Sequence, residues 1–480
     1  MHFSTVDLGD ERRNKRLPQL VDELVRHPRG SLPEKLPRAA DREAFYRLCD
    51  APKVTHAAVL KPHRHRVLEK LQTTRKFLLV VHDGTELDFS SRTSLTKLGQ
   101  IGNGNGRGYI CHQSLVVDPE MGTVVGLANQ ILHTRAEAPK GESVADRRER
   151  ESRESRLWVQ GTQDLPARRQ IVDVCDRGSD TFEFLEHEVK SGRTFVIRAQ
   201  HDRSVLPGHV PPQSPGKNDS DEVQPVSLFD YARQQKSIGK DTVTVRIAVE
   251  QRAKAKKDFQ IELPTRRVAR LQISATAIRV KPPRVHRGEH GDEPLPMWIV
   301  RVWEPNPPEG CEPLEWLLYT NHLPEEPREA RRVKQWYEKR WIVEEYHKGQ
   351  KTGCGIETLQ FRDEDRLQPA IAILSVVALT LLQLRDAARD PRSGKRRADE
   401  LIDPEAIQVL SLWEHGNARP DWTLHDYSLA LAKLGGYRPR KGCTPGWLVL
   451  WRGQTKLENM IDGARLIQRA RATPKKCTQS

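Results

Sequence analysis

The sequence predicts a mixed α/β protein with helical ends. Two apolar runs of strand length, residues 77–81 and 170–175, each lead into an aspartate, Asp83 and Asp176. A hairpin signature lies between them, and a third strand-like run, 194–199, follows a helical stretch. Strands separated in this way by a hairpin and by helices build a mixed sheet with helices packed on it.

The elements follow in order. In residues 1–57, Leu17, Leu20, Val21, Leu24 and Val25 recur at helical spacing. Three prolines and a glycine make 27–37 a loop, and 38–49 resumes a helix with Phe45, Tyr46 and Leu48. Arg12, Arg13, Lys15, Arg16, Arg26, Arg38 and Arg42 suit a phosphate backbone; with acids interspersed, a solvated charged face is the plainer alternative. After the strand at 77–81 come a glycine-rich turn, 102–108, and a hairpin of 109–117 and 123–132 joined by 118–122. A charged helix is expected over 142–157 and another helix over 179–190. Residues 201–226 read as an exposed loop, and β-favouring stretches follow at 241–249, 267–280 and 297–303. Helical periodicity is poor there, which predicts an inserted β subdomain with basic loops at 252–257 and 279–287. A long helix spans 326–351, 362–390 is mainly helical, and a helical tail carries Trp422, Trp447 and Trp451. The expected units are 1–57, 58–388 with an insertion over about 200–320, and 389–480.

Composition limits the function. The 480 residues are 36% hydrophobic and 30% charged, enough to bury a core. Lys plus Arg number 79 against 65 acids, a net charge of +14, which favours a polyanionic partner such as nucleic acid. The longest apolar run, 370–382, is interrupted by Ser375 and Thr380 and falls short of the ~18 residues of a membrane span, so a buried helix is expected and no membrane partner. The N-terminus has no apolar core of a secretory signal. Seven scattered cysteines without a CxxC pair argue against a disulfide framework or structural zinc and fit a reducing cytoplasm.

The chemistry-bearing residues are acids and cations. Asp83 and Asp176 each follow a strand, and paired hard oxygen ligands suit Mg²⁺ or Mn²⁺; an aspartate after a strand is otherwise a turn or cap residue. On the helix over 326–351, 100° per residue places Tyr337, Arg340, Glu344, Lys348 and Lys351 on one face. That face reads either as solvated ion pairs, Arg340 with Glu344 at i,i+4, or as a third metal ligand among phosphate-binding cations.

Tyr337-x2-Arg340-x3-Glu344-x6-Lys351 resembles the Tyr-Arg-Glu-Lys signature of bacterial cut-and-paste transposases of insertion-sequence family four, of the kind carried by transposon five. Asp83 and Asp176 match the two other acids of such DDE transposases, and the resemblance covers nearly the whole chain. Leu8-Gly9-Asp10-Glu11-Arg12-Arg13 is similar to the N-terminal segment, Val174-Cys175-Asp176-Arg177 to the second acidic strand, and Trp316-Leu317-Leu318-Tyr319-Thr320 to the strand before the signature helix. His347-Lys348 and Lys351-Thr352-Gly353 continue that helix, and Leu434-Gly435-Gly436 with Trp447 and Trp451 resembles the C-terminal domain. Gly84 and Gly178 depart from the pattern where threonine and glutamate are frequent, and the chain begins close to Leu8, so an upstream stretch is expected to be short or absent.

The resemblance implies a ribonuclease-H-like catalytic core with a β-rich insertion between Asp176 and Glu344, and helical N- and C-terminal domains. It implies metal-dependent cleavage of transposon ends, hairpin formation and strand transfer, with two Mg²⁺ (Mn²⁺ as a substitute) held by Asp83, Asp176 and Glu344. Tyr337, Arg340 and Lys351 are the expected phosphate grip, Trp316 the base-holding aromatic with Trp341 beside it, and Arg198 and Lys348 further DNA contacts. The partners implied are double-stranded transposon-end and target DNA and a second copy of the chain in a synaptic homodimer. A catalytically inactive DNA-binding regulator of transposition and a nuclease that does not rejoin ends are the alternatives; all three acids are present, which disfavours the first.

Overall fold

Twelve strands join in one mixed sheet among the described residues, which in this computed structural model are 3–136, 141, 143, 146, 153–208, 224–284, 290–390, 392–419, 421–439 and 445–472. The strands are β1 (Leu78–Asp88), β2 (Gly99–Ile101), β3 (Gly106–Asp118), β4 (Thr123–His133), β5 (Ile171–Cys175), β6 (Thr194–Arg198), β7 (Ser204–Pro207), β8 (Val226–Ser227), β9 (Gly239–Arg246), β10 (Arg266–Val280), β11 (Leu295–Trp303) and β12 (Glu315–Thr320). They lie in the order β2-β3-β1-β5-β6-β12-β11-β10-β7-β8, with β4 on β3 and β9 on β10. β1, β5 and β6 run parallel at the centre. Every residue of β5 is buried, as expected of a parallel strand covered on both faces.

The expected hairpin is β3–β4. The β-favouring stretches after residue 200 form β9, β10 and β11. β10 and β11 extend the central sheet through the β11–β12 pairing. The basic segment 252–257, expected as a loop, lies instead within a helix, Val249–Asp258. Its Gln, Arg, Ala and Lys residues are strong helix formers that compensate for a weak apolar stripe. The segment 27–37 likewise contains one short helix, Leu32–Lys35. Most of the helix expected over 142–157, much of the 201–226 loop and residues 285–289 lie outside the described residues.

The helices are α1 (Glu11–Arg26), α2 (Leu32–Lys35), α3 (Ala39–Cys49), α4 (His56–Thr73), α5 (Leu157–Thr162), α6 (Phe182–Lys190), α7 (Leu228–Gln234), α8 (Val249–Asp258), α9 (Pro327–Glu338), α10 (Trp341–Lys348), α11 (Glu364–Arg389), α12 (Pro404–His415), α13 (Leu424–Leu434) and α14 (Trp447–Ala472). Asp10 caps α1 by accepting from the Arg12 and Arg13 amides, and the helix buries Leu17, Leu20, Val21 and Leu24. Those side chains share one core with β1, β3 and α11. α11 is long and apolar enough to cross a membrane by composition, yet 78% of its apolar window is buried inside the protein. It is the central core helix that the interrupted apolar run predicts.

The tail builds its own small core from Ala406, Ile407, Leu410, Trp422, Tyr427 and Leu457. α13 and α14 touch backbone to backbone there: a Cβ on Gly453 would stand 1.9 Å from the Leu431 carbonyl oxygen. Gly453→Ala must therefore push the helices apart. It is expected to lower stability by roughly 1–3 kcal/mol, the usual range for overpacking, read from urea unfolding.

Candidate active site

Register brings the two aspartates together. In the parallel pairing of β1 and β5, His82 stands opposite Cys175, and the next residues on the two strands are Asp83 and Asp176. Neighbouring strands are ~4.8 Å apart, so the two carboxylates leave adjacent backbones at the same level. Asp83 does not end its strand as expected. The β1–β3 ladder runs on through Asp83↔Gln113 to Asp88, which keeps the backbone extended and the carboxylate fixed. Asp176 does end β5 and accepts from the Gly178 amide at 2.8 Å.

The helix expected over 326–351 is divided. α9 ends at Glu338, a turn holds Lys339 and Arg340, and α10 begins at Trp341. Shorter i→i+3 bonds form across this joint, from Ile342 N to Lys339 O (3.0 Å) and from Val343 N to Arg340 O (3.1 Å). α10 then loosens into a π turn, Gly349–Gly353, whose Cys354 amide reaches back to Gly349 O at 2.7 Å. Single π turns of this kind occur often at functional sites. The joint leaves Arg340 and Glu344 within reach, but Lys351 lies in the π turn rather than on a continuous helical face.

Arg340 joins two of the acids. Its Nη1 donates to Asp83 Oδ2 at 2.9 Å and its Nη2 to Glu344 Oε1 at 2.5 Å. Burial pushes the Asp83 carboxyl up to about 6; Arg340 pulls against this, while Asp176 and Glu344 push it further up. Asp83 thus feels both of the other acids although they are far apart in sequence.

The expected DNA contacts fall in several places. Tyr337 meets Trp316 edge to face with ring centroids 5.5 Å apart. Arg198 donates to the Glu315 carbonyl at 3.3 Å. Lys348 is exposed, and Lys351 pairs with Glu357 at 3.3 Å. Trp341 is 48% exposed and lines a small recess with Met121, Gly122 and Lys339. The structure shows no ring contact between Trp341 and Trp316 among the described residues; the aromatic neighbour of Trp316 is Tyr337.

A buried polar network behind the site was not read from the sequence. His82 Nε2 lies 2.8 Å from Asp173 Oδ1, and Arg193 Nε donates to Asp173 Oδ2 at 2.7 Å. His82 Nδ1 lies 3.1 Å from Ser114 Oγ, and Arg193 Nη1 donates to Leu165 O at 3.0 Å. Burial would raise the Asp173 carboxyl, but Arg193 and His82 outweigh it and hold it below the ordinary carboxylate value. The network ties β1, β3 and β5 together one residue behind Asp83. The available signal was Asp173, a charge inside the apolar run Ile171-Val172-Asp173-Val174-Cys175.

Among the described residues no three His, Cys, Asp or Glu side chains stand close enough to hold a metal ion as they are. The donor set still fits a hard divalent cation. It is all carboxylate oxygen, and the one guanidinium pairs with two of the acids, Asp83 and Glu344, leaving Asp176 without a cation among the described residues.

Residues 75–381 match the family profile described as transposase DDE domain, and residues 1–54 match that described as transposase DNA-binding. The chain belongs to the DDE transposase family and carries that family's DNA-binding segment. DDE transposase domains generally work with divalent metal ions. Among solved structures, a cryo-EM structure of a piggyBac transposase synaptic complex with hairpin DNA aligns with 97% of this chain and 74% of that one, at 10% identity and a TM-score of 0.31.

Proposed function

We propose that this transposase belongs to the insertion-sequence-four group and moves DNA by cutting and pasting. Asp83, Asp176 and Glu344 are the catalytic acids and hold two Mg²⁺, for which Mn²⁺ can substitute. The observation that carries this reading is the β1–β5 register, which sets Asp83 beside Asp176, together with the Arg340 bridge from Asp83 to Glu344. When bound, such ions activate water or a 3′-hydroxyl and stabilise the pentacovalent phosphate.

The chain's own groups do the rest. Tyr337, Arg340 and Lys351 grip phosphates near the cleaved end, and Arg198 and Lys348 make further DNA contacts. The formal charge of +14 favours the approach of double-stranded transposon-end and target DNA. The N-terminal unit, 1–57, binds the end sequence. The catalytic unit, 58–388, has a ribonuclease-H-like core with its insertion at about 200–320, and 389–480 contributes to a synaptic homodimer. The working place is the bacterial cytoplasm, at the nucleoid.

Supplying the protein with a mini-transposon bounded by the repeats that flank its gene tests the reading. Excised ends joined to a target plasmid support it. Binding without any cut product supports a regulator instead, and cutting without joining supports a simple nuclease.

Trp316 acts at the hairpin step. The first nick needs one strand only, whereas closing the hairpin bends the other strand sharply and turns a base out of the stack. Stacking on an aromatic is worth roughly 1–3 kcal/mol by alanine substitution, so Trp316→Ala is expected to lose about 5- to 150-fold at hairpin formation while nicking near-normally. Denaturing gels of end-labelled DNA over time separate the two products. Equal loss of both returns Trp316 to a packing role beside Tyr337.

A further inference from the structure

The strongest cation in the site is the protein's own. We propose that Arg340 is a resident stand-in for a divalent ion: its guanidinium neutralises Asp83 and Glu344 until an ion displaces it, and the freed side chain then turns to a DNA phosphate. This rests on the reading of the three acids as metal ligands.

The geometry supplies the argument. One planar fork spans two carboxylates, with contacts of 2.9 and 2.5 Å. Arg340 therefore occupies the gap between two of the three acids, and an ion shared by them must enter the same space. The third acid, Asp176, accepts the Gly178 amide and makes no ion pair among the described residues, so it stands ready to receive an ion. Access exists, because the Glu344 side chain is 51% exposed while those of Arg340 and Asp83 are 19% and 15% exposed. Arg340 lies in the turn between α9 and α10 rather than within either helix.

Charge supplies the direction of exchange. A divalent ion brings two charges where the guanidinium brings one, and carboxylate oxygens are its preferred ligands. Arginine matches a phosphate as well as a carboxylate, with the same two parallel N–H donors. Expulsion of Arg340 by metal would thus deliver a phosphate ligand at the place where the metal is loaded. Lys351 is likewise paired with a carboxylate, Glu357, at 3.3 Å.

The test is calorimetric titration of Mn²⁺ into the full-length protein without DNA, comparing wild type with Arg340→Ala and Arg340→Gln, the second keeping part of the stem in case the first does not fold. Removing two charge-assisted bonds that compete with the ion is expected to tighten Mn²⁺ binding roughly ten-fold. Arg340→Lys, which can reach one carboxylate but not bridge two, is expected to fall between. The thermal midpoint of Arg340→Ala should drop in EDTA, and Mn²⁺ should raise it more than it raises wild type. Folded variants that bind Mn²⁺ no more tightly than a wild type that does bind it overturn the exchange and leave the metal-ligand reading standing. A folded wild type and folded variants that all fail to bind Mn²⁺ overturn both.

Discussion

Asp176→Ala is expected to abolish cleavage of end-containing DNA in Mg²⁺ while DNA binding persists. The side chain's visible structural duty is small. It accepts one amide, Gly178 N, at the end of β5, and loss of such a cap costs typically ~1 kcal/mol. Its chemical duty in the proposed site is large, because metal stabilisation of transition-state charge is worth several kcal/mol, and about 4 kcal/mol is already roughly 1000-fold in rate. Affinity should come from the basic surface and fall steeply with salt in mutant and wild type alike. The check is a cleavage time course beside a binding titration at two salt concentrations. A mutant that cuts at the wild-type rate removes Asp176 from the site.

Arg193→Ala is expected to be the most destabilising substitution near the site. Arg193 is 4% exposed at its side chain and neutralises Asp173, which is fully buried. Glu188, also fully buried, stands 3.9 Å from the same nitrogen, and burial pushes its carboxyl well above the ordinary range. Removing the cation leaves Asp173 with His82 as its remaining side-chain hydrogen-bond partner. Breaking a buried pair from one side typically costs about 3–5 kcal/mol. Urea unfolding should report a loss of that size, with cleavage falling in parallel because β1 and β5 carry the two aspartates. A loss under about 1 kcal/mol would mean that the network does not hold the strands.

The site was more legible than the fold around it. Apolar runs ending near Asp83 and Asp176, and the spacing of Tyr337, Arg340 and Glu344, are local patterns, and local patterns survive in sequence. The order of strands does not, because nothing in residues 78–88 states that they pair in parallel with 171–175 and antiparallel with 108–117. The division of the signature helix was invisible for a related reason. An ideal 100° wheel places Lys351 with Glu344, whereas the π turn at Gly349–Gly353 moves it to Glu357. The pair of Arg340 with Glu344 is legible from their i,i+4 spacing, whereas its second partner, Asp83, lies 257 positions away and is not. The β-favouring stretches after residue 200 are legible as strands, but their joining to the central sheet is not, since edge pairing through β11 and β12 leaves no mark on composition.

The central claim is that three acids at positions 83, 176 and 344 hold metal at one place. Replacing Mg²⁺ by Fe²⁺ in the full-length protein and adding ascorbate and peroxide generates hydroxyl radicals at the bound ion, which cut the nearby backbone. The account predicts chain breaks clustered near Asp83, Asp176 and Glu344 together, suppressed by excess Mg²⁺ and diminished in Asp176→Ala. Breaks at one of these positions without the others, or breaks that excess Mg²⁺ does not suppress, would contradict it.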